Sequence, residues 1–373
     1  MSATPHGTEF DVEALSAHVA RELERFRLPG VEVVVVREGE VLFAGGFGRR
    51  DVERDLPVTP KTVFAHGSTG KAFTSFLVGQ LVEEGVLDWD RPIRDYLPDF
   101  KLADPVASER ITVRDLLRHR SGIPRHDLAW LANPGLDRGE LVRRMRYLEP
   151  SKDLRTLFQY CNFGYVAAGF LCGHVTNSTY EEQVRRRIFE PLGMSNTYLS
   201  TSEVTALEDH AQPYEERDER IVPITYRDAS NVLPAGGINS CADDTARWLL
   251  CQLGGGQLDG QRLISSGSLA TTHSVEFPPW GLRIPAGETY RIHGYAMAGR
   301  SPPTVAATTS RTGAASTASP PSSSSCLRRG SASPSAAIAQ PRSQERSAVT
   351  SSTGCWASKA VTGARRCWSS QTR

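Results

Sequence analysis

The sequence predicts a mixed helix-and-sheet fold, and three kinds of stretch carry that prediction. Asp11–Phe26 (DVEALSAHVARELERF) sets its apolar residues at helical spacing, the pattern of an amphipathic helix. Val33–Val36, inside VEVVVV, is a short unbroken run of β-branched residues and reads as the core of a buried strand. Further on, Val63–Gly85 (VFAHGSTGKAFTSFLVGQLVEEG) is apolar at Phe73, Phe76, Leu77, Leu81 and Val82, a 3.6-residue period that predicts a helix with one buried face. Phe163–Val175 (FGYVAAGFLCGHV) is a second apolar, helix-like segment, and Tyr180–Phe189 and Thr245–Leu253 read as further helices.

The start of the Phe73–Val82 helix carries the chemistry. Ser68-Thr69-Gly70-Lys71 puts a hydroxyl and an amine three residues apart, so one turn brings Lys71 back over the face that Ser68 occupies. At a helix N-terminus, unpaired backbone N–H groups and the positive dipole end favour an oxyanion. A serine becomes a nucleophile only when a base takes its proton, and a lysine serves as that base only when burial lowers its pKa. By itself the tetrapeptide reads as a capping serine beside a surface lysine. A phosphate-binding loop of the form G-x-x-x-x-G-K-[ST] is excluded, because Ala65 stands at its first glycine and Ala72 at its hydroxyl position. Tyr160-Cys161-Asn162 supplies a second element, since a phenol and an amide two residues apart point the same way on extended backbone. Such a pair can shuttle the serine proton and orient Lys71 or a substrate carbonyl; standing alone it reads as a buried tyrosine and a helix-capping asparagine.

S-x-x-K followed about ninety residues later by Y-x-N resembles the serine β-lactamase and penicillin-binding-protein superfamily, in its class C-like branch with esterases and D-amino-acid peptidases. The resemblance runs from about Phe10 to Tyr295. It includes Leu28-Pro29-Gly30 leading into Val31–Val36 and Val41–Gly48 (an opening hairpin), Leu87–Ile93, Ile111–Gly122, Pro191–Met194 and Pro234–Ile238. It implies an antiparallel sheet flanked by helices, an all-helical insertion between the serine helix and Pro234–Ile238, and a site at the seam. By the same resemblance Ser68 is acylated, Lys71 holds or accepts its proton, Tyr160 is general base and then acid, and Asn162 positions the acyl amide or ester. His66 and His119 flank these motifs, and the resemblance makes both structural.

From Ala296 onward the composition changes. This tail has no Phe, Tyr, Asp, Asn or His, and nine Arg and one Lys against Glu345 alone give it about +9, leaving about −8 for the rest of a chain whose total is +1. Two domains are therefore expected: residues 1–295, a hydrolase domain incomplete at its C-terminal end, and residues 296–373, a low-complexity basic tail without fixed structure. A basic tail of this kind also suits a nucleic-acid-binding arm. Out-of-frame translation is the preferred account. If each hidden codon is the third base of one residue's codon and the first two of the next, Ala296–Gly299 permits Tyr-Gly-Trp. Thr312–Ser319 then permits His-Gly-Gly-Gly-Ile-Asp-Gly-Phe, similar to the superfamily's third motif, and Thr350–Ala357 permits Tyr-Val-Phe-Asp-Arg-Leu-Leu-Gly, helix-like with a final glycine. Arg311-Thr312-Gly313 is the rival, a literal variant of Lys-Thr-Gly. Its neighbours lack the alternating large apolar residues of a buried strand.

Cys161, Cys172, Cys241 and Cys251 show no metal-ligand spacing, so no cofactor or metal is expected. There is no basic-then-apolar leader, and no segment approaches the length of a membrane span, so a cytoplasmic location is expected, with no membrane or nucleic-acid partner. The expected substrate is a small ester, amide or lactam. The alternative is an inactive or ligand-binding relative that lacks the third motif. The oligomeric state is left open.

Overall fold

The computed structural model describes residues 10–274, 295–297, 299–300, 337–339 and 347–352. The first helix, α1 (Val12–Phe26), starts at Asp11, whose carboxylate accepts the Ala14 N–H at 2.8 Å, and stops at Arg27 in the left-handed region. The hairpin follows as expected: β1 (Gly30–Arg37) pairs antiparallel with β2 (Glu40–Asp51) in the register Val33↔Gly45, Val34↔Ala44. Because side chains alternate along β1, Val31, Val33 and Val35 face α1 and pack around its Val19, while Val34 and Val36 enter the main core. That two-sided burial is why the strand reads as an unbroken valine run.

The sheet is completed by β3 (Leu56–Pro57) beyond β2 and, on the other side of β1, by β5 (Ser347–Ser352) and β4 (Ala337–Ala339), in the order β4-β5-β1-β2-β3 with all pairs antiparallel. Two segments of the tail, expected to lack fixed structure throughout, thus take strand form. Arg311-Thr312-Gly313 and Thr312–Ser319 lie outside the described residues. Thr350–Ala357, for which the shifted frame permits a helix, is described to Ser352, and that part is strand.

The helix that follows the serine, α2 (Lys71–Glu83), corrects the single-faced expectation. It is buried almost all round from Lys71 to Leu81, because it is sandwiched between the sheet side and the helical lobe. On one side Phe73 stacks on Trp248 of α4 (Ala242–Leu253), their ring centroids 4.0 Å apart. On the other it meets α3 (Asn162–Val175). The polar residues of α2 survive burial by bonding across the seam: Thr74 Oγ1 donates to the Pro234 carbonyl at 2.7 Å, and Ser75 Oγ to that of Met297 at 2.7 Å.

Between α2 and Pro234 the chain forms the helical lobe, with helices at Pro105–Arg110, Val113–Leu117, Asp127–Leu131, Arg138–Arg144, α3 and Tyr180–Val184. The Tyr180–Phe189 segment ends as a wider π turn over Arg185–Phe189. A hairpin, Tyr214–Arg217 with Arg220–Pro223, follows the lobe. The chain returns through the short helical turn Leu233–Gly236, and a two-strand ladder joins Phe64–Ala65 to Asn239–Ser240. Among the described residues no helix is long and apolar enough to cross a membrane.

Candidate active site

Ser68 lies on a 3₁₀ turn, Gly67–Gly70, that runs directly into α2. Two features fix this turn. His66 N–H is bound by the Ile238 carbonyl at 2.9 Å, and the His66 carbonyl takes both the N–H and the hydroxyl of Thr69. Gly67, at φ +55°, makes the bend that a side-chain-bearing residue would resist. Gly236 packs so closely that a Cβ there would stand 2.9 Å from the Gly67 carbonyl carbon and 3.2 Å from the Ser68 nitrogen. The outcome is an exposed serine over a fully buried lysine.

The four residues singled out by sequence converge. Tyr160 OH donates to Ser68 Oγ at 2.7 Å, and Lys71 Nζ stands 3.1 Å from the same oxygen. Lys71 also donates to Asn162 Oδ1 at 2.8 Å and to the Ala235 carbonyl. Asn162 is the first residue of α3, with Cys161 at the cap position, so its amide points across to Lys71 instead of capping its own helix. The ammonium position also faces the rings of Tyr160 and Tyr165, 4.9 and 5.2 Å from their centroids.

Burial sets the proton affinities. Desolvation brings the Lys71 amine from 10.5 to about 7, with Arg125 lowering it further and Asp127 pulling the other way. Desolvation raises the Tyr160 phenol above its ordinary value, while its bond to Ser68 and the charge of Arg125 oppose the rise. Near neutral pH the amine is therefore the group of this cluster that changes charge, and the phenol is un-ionised.

His66 and His119 occupy supporting places. His66 Nε2 lies 2.8 Å from Oε1 of the fully buried Glu32 on β1. His119 Nδ1 accepts the Cys161 N–H at 3.1 Å, and its ring packs 4.4 Å from that of Tyr160. Burial, with Lys71 nearby, holds His119 well below its ordinary pKa, so it is a neutral prop for the phenol.

Sequence reasoning missed Asp127 and Arg125. Asp127 Oδ1 accepts the Asn162 Nδ2–H at 3.0 Å, and its Oδ2 is bound by Arg125, whose guanidinium lies 4.9 Å over the Tyr160 ring. In sequence Asp127 is an acid in the first turn of a five-residue helix, with no spacing to tie it to Tyr160-Cys161-Asn162. The Ala235 carbonyl, being main chain, leaves no signal in residue type. Among the described residues no cluster of three or more His, Cys, Asp or Glu is placed to hold a metal ion.

A sheet and a helical lobe meeting at a helix led in by the serine turn define a β-lactamase/transpeptidase-like fold. The chain belongs to the Beta-lactamase family, which it matches over residues 15–317. It is 33% identical over 242 residues to Unguisins hydrolase ungD' of Aspergillus campestris (62% of this chain, 45% of that protein) and 31% identical over 261 residues to Unguisins hydrolase ungD of Aspergillus violaceofuscus (66% and 45%). Protein flp of Staphylococcus aureus is 25% identical over 241 residues, 63% of this chain and 47% of flp. The chain thus spans about half the length of the curated relatives it matches. Among solved structures, the octameric penicillin-binding protein homologue from Pyrococcus abyssi superposes with a TM-score of 0.64 at 28% identity, covering 78% of this chain and 64% of that one.

Proposed function

We propose that the chain is a serine acyl hydrolase acting on small esters or amides through an acyl-enzyme on Ser68. One observation carries the reading: the Ser68 hydroxyl touches both Tyr160 OH and a lysine amine whose pKa burial has brought to about 7. A neutral amine has two N–H groups and one lone pair. With the N–H groups taken by the Ala235 carbonyl and Asn162 Oδ1, the lone pair is left for the Ser68 hydroxyl. Lys71 accepts that proton, directly or through Tyr160, as Oγ attacks the substrate carbonyl carbon. The tetrahedral oxyanion then collapses, and the leaving alcohol or amine takes the proton back through the same pair. Water, deprotonated by the same route, releases the acid and restores Ser68.

The hydrolase names of the two Aspergillus relatives support the reaction class. A binding-only relative is the second reading, because the chain carries no clear His-x-Gly or Lys-Thr-Gly segment; within the range matched to the family, Arg311-Thr312-Gly313 is the triplet that stands nearest to one. Incubation with a fluorophosphonate or a labelled penicillin, followed by intact mass, tests the proposal. Wild type is expected to gain one adduct that Ser68→Ala does not, and short-chain p-nitrophenyl esters are expected to be cleaved by wild type alone. Equal labelling and turnover in Ser68→Ala would reject the assignment. Substrate class follows from kcat/KM for a butyrate ester against a cephalosporin, with the ester expected to be the better substrate.

A further inference from the structure

We infer that Asp127 is a positioning residue: it holds the Asn162 side chain in the one amide orientation that turns Oδ1 onto Lys71, and Arg125 tethers it there. This rests on the serine-hydrolase reading above and adds a residue that lies outside the sequence motifs.

The geometry is a chain of four groups. Arg125 Nε donates to Asp127 Oδ2 at 2.7 Å, Asn162 Nδ2 donates to Asp127 Oδ1 at 3.0 Å, and Lys71 Nζ donates to Asn162 Oδ1 at 2.8 Å. Trp130 Nε1, one turn on, reaches the same Asp127 oxygen at 3.4 Å. A carboxylate only accepts, whereas an amide has one accepting and one donating end. Facing Asp127, the amide must present Nδ2, and its oxygen is then forced toward the lysine. Reversed, it would aim Nδ2 at Lys71, and the amine's lone pair would be drawn to that donor and away from Ser68. Both ends of Asn162 are therefore spent on protein groups. The residue supports the base, which differs from the substrate-amide role that the resemblance implies for it.

The same carboxylate acts on Lys71 through its charge. The titratable and charged groups facing Lys71 are Tyr160, Cys161 and Tyr165 from the segment that starts α3, His119 from the end of the Val113–Leu117 helix, and Arg125 and Asp127 from the loop and helix over the mouth. Of these the Asp127 carboxylate favours the protonated amine most, and Arg125 opposes it. The two neighbours thus bias the lysine in opposite directions from one salt bridge.

The test uses the full chain with ¹³C-labelled lysine. Only five lysines are present, so Lys71 is assignable by its loss in Lys71→Met. Following its Cε shift with pH, Asp127→Asn is expected to move the Lys71 titration to lower pH and Arg125→Gln to higher pH. In ester hydrolysis the acid limb of kcat/KM should move in the same two directions. Asp127→Ala should lose kcat on the order of 10- to 100-fold, with partial recovery in Asp127→Asn, whose amide can still accept from Asn162. A merely structural Asp127 would leave the lysine titration where it is. Equal Lys71 titrations in wild type, Asp127→Asn and Arg125→Gln overturn the inference whether or not ester is turned over. Absence of an adduct on Ser68 would sink the hydrolase reading and leave the lysine result standing.

Discussion

Replacing Lys71 by methionine should trade activity for a particular form of stability, and the size can be worked from the site. The amine is fully buried, and its pKa falls from 10.5 to about 7 on folding. At high pH it is neutral in both folded and unfolded chains, and no penalty exists. As pH falls from 10.5 toward 7 the unfolded chain takes up a proton that the folded chain refuses, so stability declines; below 7 the decline stops. At about 1.4 kcal/mol per pH unit the full penalty is about 5 kcal/mol, and about 4 kcal/mol of it develops between pH 10 and pH 6. Lys71→Met removes this term while keeping an unbranched side chain of similar length. It also leaves the Ala235 carbonyl and Asn162 Oδ1 without a donor, at about 1–3 kcal/mol each. That second cost hardly depends on pH, so the difference between the two proteins isolates the lysine. Urea unfolding of both at pH 10 and pH 6 is expected to show the variant gaining about 4 kcal/mol on wild type across the interval, with esterase activity lost throughout. A stability difference that stays constant to within about 1 kcal/mol would refute a neutral, buried Lys71 and with it the base assigned to Ser68.

Three further outcomes follow. Because Lys71 must be neutral to accept the Ser68 proton, kcat/KM should fall as pH drops through about 7, and Tyr160→Phe should cost at least hundreds-fold in rate without moving that limb; steady-state profiles check both. Gly236→Ala forces a Cβ to 2.9 Å from the Gly67 carbonyl carbon and should lower kcat at least tenfold, whereas Gly70→Ala, whose Cβ would meet Ile238 at 3.5 Å, should change melting temperature and rate little. Restoring the alternative frame after Tyr295 should return a third-motif strand, and a backbone N–H that such a strand lends to the substrate oxyanion is worth about 10²–10³ in kcat; resequencing the coding DNA and assaying both forms decides it, and equal rates would favour Arg311-Thr312-Gly313 as the native segment.

What could be read beforehand was what is local. The β1–β2 hairpin, α1 and the Ser68–Lys71 pair each follow from spacing within a few residues, and so they stand close to where the sequence puts them. Tyr160 and Asn162 were legible as a pair, but their joining to Lys71 comes from the α2–α3 packing, not from their own spacing. Thr74, Ser75 and Gln80 made α2 look half solvated, although each bonds to a backbone carbonyl from a distant part of the chain. Asp127 was invisible for a similar reason: it reaches Asn162 across 35 residues from a helix too short to carry a periodic signal.

The hydroxyls of Ser75 on α2 and Tyr165 on α3 both approach one carbonyl, that of Met297, at 2.7 and 2.8 Å, and Tyr165 shares its single proton with the Leu117 carbonyl, also at 2.8 Å. They grip main chain, so the bonds do not depend on which residue occupies that place; the buried Met297 side chain adds packing to a clasp that any L-residue could close. This clasp sits two residues past Tyr295, where the composition of the chain changes character. It makes that point a natural graft site: a C-terminal segment of quite different make-up, joined there, would keep the bond to Ser75 and a share of the Tyr165 hydroxyl, tying it to the helix that follows the nucleophile and to the helix that begins with the amide.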